Sequence, residues 1–258
     1  MTVAENSRDF PRLTTEEKAL FKRDGVLIRR GLIEPERIGR AIDLITGRCG
    51  PNLTTDVIRD WTQRTFAPDL GGHPDLLALY ERTAVPYLAE DLLGETVPIN
   101  AVQIQIRVPE QLFPNVQPVK AMHVDGVACP HLDPGQLRTF SLLVGVVLSD
   151  ISDPVAGALR YLPGGHHTMA RWFSEEWSLG MTDQVPPTVD QQDGVPFLGI
   201  PGDILLMHHL VPHAVGRNHL PFPRIMAYFR VSHPAHADQR LRALCDPWLD
   251  YPPLADTP

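Results

Sequence analysis

Near residue 97 the hydrophobic period of this 258-residue chain changes, and the change limits what it can fold into. Residues 101–108, AVQIQIRV, alternate throughout: Val102, Ile104 and Ile106 on one side, Gln103, Gln105 and Arg107 on the other. Successive side chains of a strand point to opposite faces, so this is a strand with one polar face. FSLLVGVVLSD, GALRYLP, DILLMHHLV and RIMAYFRV read as further strands, divided by loops rich in Pro, Gly and Asp. Upstream the spacing is helical. Residues 12–24 offer Thr14 and Thr15 as N-caps, with Glu17 three positions after Thr14 in a capping box, and Gly25 ends that helix. GVLIRRG reads as a strand, and EPERIGRAIDLITGRC as a second helix with Ile38, Ala41, Ile42 and Ile45 on one face. Residues 50–72 read as loop, and HPDLLALYERTAVPYLAEDLLG as a helical segment broken before Pro86. Helices before residue 95 and short strands after it predict an antiparallel sandwich or barrel rather than alternating β/α units. We expect one domain over 1–258: a helical third (1–95), a strand-built core (96–235) and a C-terminal tail (236–258).

Charge narrows the partners. Lys and Arg number 23 against 31 Asp and Glu, a formal net charge of −8. Nucleic acid or an anionic membrane needs a basic footprint, which this balance does not supply. No apolar run approaches the ~18 residues of a membrane span, and the first residues show no signal-peptide pattern. Cys49, Cys129 and Cys245 are odd in number and form no CxxC pair, which fits a reducing cytoplasm. A small-molecule partner is the expectation, with oligomeric state left open.

Histidine carries the chemical signal, with 11 copies, several of them clustered. In His123-Val124-Asp125, positions i and i+2 share a strand face, so an imidazole and a carboxylate can meet one ion. Together they are two-thirds of the facial triad of non-heme Fe(II) oxygenases, and a second histidine from another strand must complete it. The segment PGDILLMHHLVPHAVGRNHLPFPRIMAYFRV offers His208, His209, His213 and His219, followed by Arg224. A 2-oxoglutarate oxygenase needs a cation there for the distal carboxylate of its cosubstrate, and arginine supplies a bidentate fork.

At this point the chain resembles the phytanoyl-CoA dioxygenase family of Fe(II)/2-oxoglutarate oxygenases. LTTEEKALFKRDGVLIRRGLIEPERI is similar to the family's helix–strand–helix opening, and HPDLLALYERTAVPYLAEDLLGE to the helical segment that follows it. MHVDG stands where its HxD motif belongs, and GALRYLPGGHH resembles its Pro-Gly-Ser-His turn, with Gly165 in place of the serine. PGDILLMHHLVPHAVGRN resembles the segment leading to the distal histidine, which the family follows with Asn five residues later and Arg eleven later. Only His213 meets both spacings, at Asn218 and Arg224; His209 would place Ala214 and Leu220 there.

The resemblance implies a double-stranded β-helix, a cupin-like jelly roll mainly of β structure with N-terminal helices. It implies iron held by His123, Asp125 and His213, and 2-oxoglutarate anchored by Arg224, with O2 as second cosubstrate. Gln105 and Ser141, each 18 residues from His123, stand where family members contact 2-oxoglutarate, and Thr139 is an alternative to Ser141. The small hydroxyl residue usual two after the distal histidine is here Val215. Asp125 keeps the carboxylate that related halogenases lack. The implied activity is a dioxygenase reaction releasing succinate and CO2 while oxidising, most simply hydroxylating, a C–H bond of a small metabolite in a biosynthetic tailoring step. The competing readings are a non-catalytic jelly-roll binding protein and a cupin-like metal enzyme that does not use 2-oxoglutarate.

Other residues take plainer readings. His166 and His167 shape a pocket edge, one of His208 and His209 faces outward, and His233 and His236 lie in a post-barrel loop. RWFSEEW (171–177) is a lid or insertion helix packing its aromatics, and GVACPHLDPGQLRT with residues 168–198 walls the pocket.

Overall fold

A computed structural model of the chain describes residues 10–257 apart from 50–53, 55, 60–64, 127–136, 178–185 and 188. Cys129, most of GVACPHLDPGQLRT and residues 178–185 of the expected pocket wall lie outside the described residues. Helix α1 (Thr15–Asp24) starts where its capping box predicts. Thr14 Oγ1 accepts the Glu17 N–H at 3.2 Å, and the Glu17 carboxylate accepts the Thr14 N–H at 2.9 Å. Gly25 ends the helix at φ +73°, where a Cβ would lie 2.5 Å from Val211 and 2.6 Å from His166, so only glycine fits. Strand β1 (Val26–Arg29) and helix α2 (Pro35–Cys49) follow, the helix burying Ile38, Ala41 and Ile45. Within 50–72, residues 56–59 and Pro68–Leu70 form short helical turns rather than plain loop. The break before Pro86 is real: α3 (Pro74–Glu81) stops and α4 (Val85–Leu93) begins anew. Thr83 stabilises the joint, its hydroxyl donating to the Tyr80 carbonyl at 2.9 Å and accepting from the Val85 N–H.

Seven more strands build the jelly roll: β2 (Gln103–Arg107), β3 (Leu142–Val147), β4 (Leu159–Tyr161), β5 (Val195–Pro196), β6 (Ile204–His208), β7 (His213–Val215) and β8 (Arg224–Val231). They form a five-stranded sheet of order β1-β6-β3-β8-β2 and a three-stranded sheet of order β5-β4-β7, every pairing antiparallel. Strand parity sorts the large sheet into two cores. Ile104, Ile106, Leu142, Val144, Val146, Ile204, Leu206, Ala227 and Phe229 pack against the helices. Leu143, Val147, Leu205, Met207, Met226 and Tyr228 point between the sheets, toward Leu159 and Phe197. Among the described residues no helix is long and apolar enough to cross a membrane.

After β4 comes α5 (Gly165–Glu175), which carries most of RWFSEEW and packs its aromatics as expected, Phe173 edge-on to Trp172 and Trp177. The expected C-terminal tail is instead part of the core. Helix α6 (His236–Cys245) leads to Asp250, Tyr251 and Leu254, all buried. Asp250 accepts from the Ser141 hydroxyl at 2.6 Å, Gln239 at 2.8 Å and His236 Nδ1 at 2.5 Å, while His236 Nε2 meets Thr139 Oγ1 at 2.9 Å. His236 is therefore no loop residue.

The other histidine expectations also change. His208 and His209 are both buried, because Phe21, Trp248 and Tyr251 cover one and His236 the other. His166, rather than edging a pocket, packs on His208 and Trp248. Burial pushes His209 down to about 4 and His166 to about 3, so both stay neutral in the fold. Histidine in an unfolded chain titrates near ~6.5. Stability is therefore complete above that pH and is lost as pH falls toward about 4, because protons bind the unfolded chain first. Urea midpoints compared at about pH 7.5 and about pH 5 should be clearly lower at the acid value. Equal midpoints would contradict the burial of neutral rings.

Candidate metal and cosubstrate site

The polar face of β2 is half-buried and lines cavities beside the site, while the strand pairs with β8. Gln103 lies opposite Tyr228, Gln105 opposite Met226 and Arg107 opposite Arg224. Across the lumen, His123 and His213 pair as a two-residue bridge, each backbone N–H donating to the other's carbonyl at 3.0 Å. Asp125 follows on the same face as His123. Gly126 turns the chain at φ +79°, where a Cβ would sit 2.4 Å from the Arg138 carbonyl oxygen.

Ligand atoms of His123, Asp125 and His213 lie within 4.8 Å of one another, the one such cluster among the described residues. Asp125 Oδ1 is 3.7 Å from His123 Nε2 and 3.9 Å from His213 Nε2. Each imidazole hydrogen-bonds through Nδ1 to a carbonyl two residues back, His123 to Ala121 at 3.1 Å and His213 to Val211 at 3.0 Å. A carbonyl only accepts, so Nδ1 carries the proton and the Nε2 lone pair faces the cluster. Burial, with His213 nearby, pushes His123 down to about 4. Burial alone would raise Asp125, but His213, Arg230 and His123 outweigh it and hold the carboxyl at about 2. Near neutrality the set is a neutral imidazole beside a carboxylate, the forms that bind a cation.

Arg224 is 1% exposed. Its Nη2 donates to Tyr228 Oη at 2.6 Å and lies 2.9 Å from Met226 Sδ, whereas Nε and Nη1 have no partner. Buried guanidinium N–H groups left unpaired are costly, and a two-oxygen anion is the complement that satisfies them. The donor set and this orphaned fork fit a metal ion and a dicarboxylate. Asn218, five residues after His213, shapes the approach to Arg224. Its amide donates to the Arg107 and Phe222 carbonyls at 3.1 and 2.8 Å, and its oxygen accepts the Leu220 N–H.

Gln105 lines the same small cavity, about 60 Å³, as His123, Asp125, His213 and Val215. Beside it opens a larger one of about 420 Å³, edged by Thr65, Ile99, Asn100 and Arg230; Gln103 and Tyr228 border both. Ser141 and Thr139 are not brought to the site: Ser141 is spent on Asp250 and Thr139 on His236. Residues the sequence reading missed are Gln103, Tyr228 and Arg230. The signal was available, since 224, 226, 228 and 230 share one face of a strand.

Together these features define a jelly-roll protein with a His–Asp–His metal-ligand set and a buried arginine beside it. The phytanoyl-CoA dioxygenase family model matches residues 21–226, and the chain belongs to that family. Its members are non-heme iron, 2-oxoglutarate-dependent enzymes, and this chain is one of that class. No curated protein matches the sequence. Solved structures share the fold. The epimerase SnoN of nogalamycin biosynthesis is 18% identical, with a TM-score of 0.57, over 84% of this chain and 80% of that one. HygX from Streptomyces hygroscopicus, with nickel and 2-oxoglutarate bound, is 17% identical at 0.57, over 86% and 88%. EctD from S. alaskensis with bound Fe is 20% identical at 0.58, over 88% and 78%.

Replacing His213 by Ala should abolish metal binding in an anaerobic titration. His209→Ala should leave it nearly intact, because its ring lies against His236 away from the cluster. Equal losses in the two variants would reassign the distal ligand.

Proposed function

We propose that this chain is an Fe(II)- and 2-oxoglutarate-dependent dioxygenase that hydroxylates an unactivated C–H bond of a small metabolite, releasing succinate and CO2. The observation that carries the reading is the meeting of His123, Asp125 and His213 beside a buried arginine with unpaired N–H groups. His123 and His213 would offer Nε2, and Asp125 its Oδ1, to the iron. Bound there, iron with 2-oxoglutarate and O2 supplies the oxidising chemistry. Arg224 pairs with the distal carboxylate of the cosubstrate, and Tyr228 orients Arg224 through its hydroxyl. Gln105, on the cavity wall, offers an amide to the same cosubstrate. The small cavity suits the cosubstrate, and the open one beside it suits the substrate. Leu143 and Leu159 give the small cavity apolar wall on one side of its polar lining.

A tailoring role in biosynthesis, in the cytoplasm, completes the reading. Two of the similar folds support it, the epimerase SnoN and the carbocyclase SnoK, both from nogalamycin biosynthesis. Among the described residues the open cavity has Arg230 as its cation and no basic cluster of the kind several phosphates require, which favours a small non-thioester substrate.

Anaerobic Fe(II) and 2-oxoglutarate should produce a weak visible charge-transfer band, and succinate release against a metabolite panel should identify the substrate. Arg224→Ala should weaken 2-oxoglutarate binding roughly 30- to several-thousand-fold, from ~2–5 kcal/mol for stripping one partner of a desolvated pair. Metal affinity should hold, and Arg224→Lys should recover part of the loss. Unchanged 2-oxoglutarate affinity in Arg224→Ala would defeat the cosubstrate assignment.

A further inference from the structure

Arg230 stands six residues after Arg224 on the same face of β8, but where Arg224 is buried Arg230 is exposed at the rim of the open cavity. Its Nη2 donates to Asp125 Oδ2 at 3.0 Å, and its Nη1 donates to Gln103 Oε1 at 2.7 Å. The guanidinium also lies over the Phe140 ring, 5.4 Å from its centroid. An amide, an aromatic face and a carboxylate thus fix one planar group from three sides. The oxygen that it grips is not the one facing the histidines: Oδ1 is near both Nε2 atoms, and Oδ2 is turned to Arg230.

We infer that Arg230, braced by Gln103, is a positioning residue that restricts Asp125 to a single metal-facing oxygen; this rests on the reading of His123, Asp125 and His213 as the metal site. A facial set of two histidines and one carboxylate serves by leaving metal positions open, and a carboxylate binding through both oxygens would occupy one more of them. Holding Oδ2 in a charge-assisted hydrogen bond keeps the protein's share at three. Arginine suits this work better than lysine because its fork reaches the carboxylate and the amide at fixed spacing. Partners that orient a metal-binding carboxylate from outside typically contribute 10- to 100-fold in metal affinity.

Co(II) alone, titrated anaerobically into the full-length protein, tests this. In Arg230→Ala the Co(II) ligand-field band should shift from that of wild type, as the freed Oδ2 of Asp125 joins the metal. Arg230→Lys, keeping charge without the fork, should fall between it and wild type. Gln103→Leu, which leaves Arg230 in place but unbraced, should shift the band part of the way in the same direction; it decides the matter if Arg230→Ala does not fold. Near-UV circular dichroism checks the fold of each variant. A Co(II) ligand-field band in folded Arg230→Ala identical to that of wild type would overturn the inference while leaving the metal site standing. Wild type that binds no Co(II), like His213→Ala, would overturn the site and this inference with it.

Discussion

Two backbone hydrogen bonds, exchanged between His123 and His213 at 3.0 Å each, hold the candidate site together. They tie a short segment with no strand of its own to the edge of β7, and they set the two imidazoles 5.1 Å apart, centroid to centroid. Everything chemical follows from that register. A slip of one residue in the segment of His123 would turn His123 and Asp125 to the opposite face, away from His213. The two Nδ1–H bonds to Ala121 and Val211 then leave each ring only one lone pair to offer.

Charge is arranged around that point with little slack. Asp125 sits among His123, His213 and Arg230, which keep it ionised against the pull of burial. Arg224 and Arg107 face each other across β2 and β8, and burial together with Arg224 pushes Arg107 down to about 10. Two guanidinium groups so placed make an electropositive end to the lumen, and the fork on Arg224 remains open. The unpaired N–H groups of Arg224 call for an anion, which a neutral ligand would not supply.

Much of this was legible in the sequence, for identifiable reasons. Period-2 alternation at 102–107 located β2, and the capping box with Gly25 bracketed α1, of whose two candidate caps Thr14 is the one used. The spacing from His213 to Asn218 and Arg224 is legible because one loop, 216–223, joins β7 to β8, and Asn218 fixes it with two hydrogen bonds inside the loop and one to Arg107 of β2. What escaped were pairings between distant segments. Ser141 is 18 residues from His123, but counting cannot see Asp250, 109 positions away, which takes its hydroxyl. The same holds for the expected tail. Nothing local in WLDYPPL announces that Tyr251 stacks on His208 and donates to the Ser141 carbonyl. Strands β5 and β7, two and three residues long, are too short to show a period.

The eleven histidines divide by what their ring nitrogens do, and the division explains why only some are ligand candidates. His208 uses both: Nδ1 accepts the Leu210 N–H at 3.1 Å and Nε2 donates to the Pro247 carbonyl at 2.6 Å. His236 also uses both, on Asp250 and Thr139. Such rings are polar core, saturated and closed to a metal. His209 leaves Nε2 buried without a partner, yet no carboxylate and second imidazole converge on it among the described residues. A lone pair is not a site unless other donors point to the same place. His123 and His213 differ on this one count, since each spends Nδ1 on a carbonyl and aims Nε2 at the same carboxylate oxygen. Abundance of histidine therefore says little about metal binding here; convergence of unspent lone pairs around Asp125 says most of it.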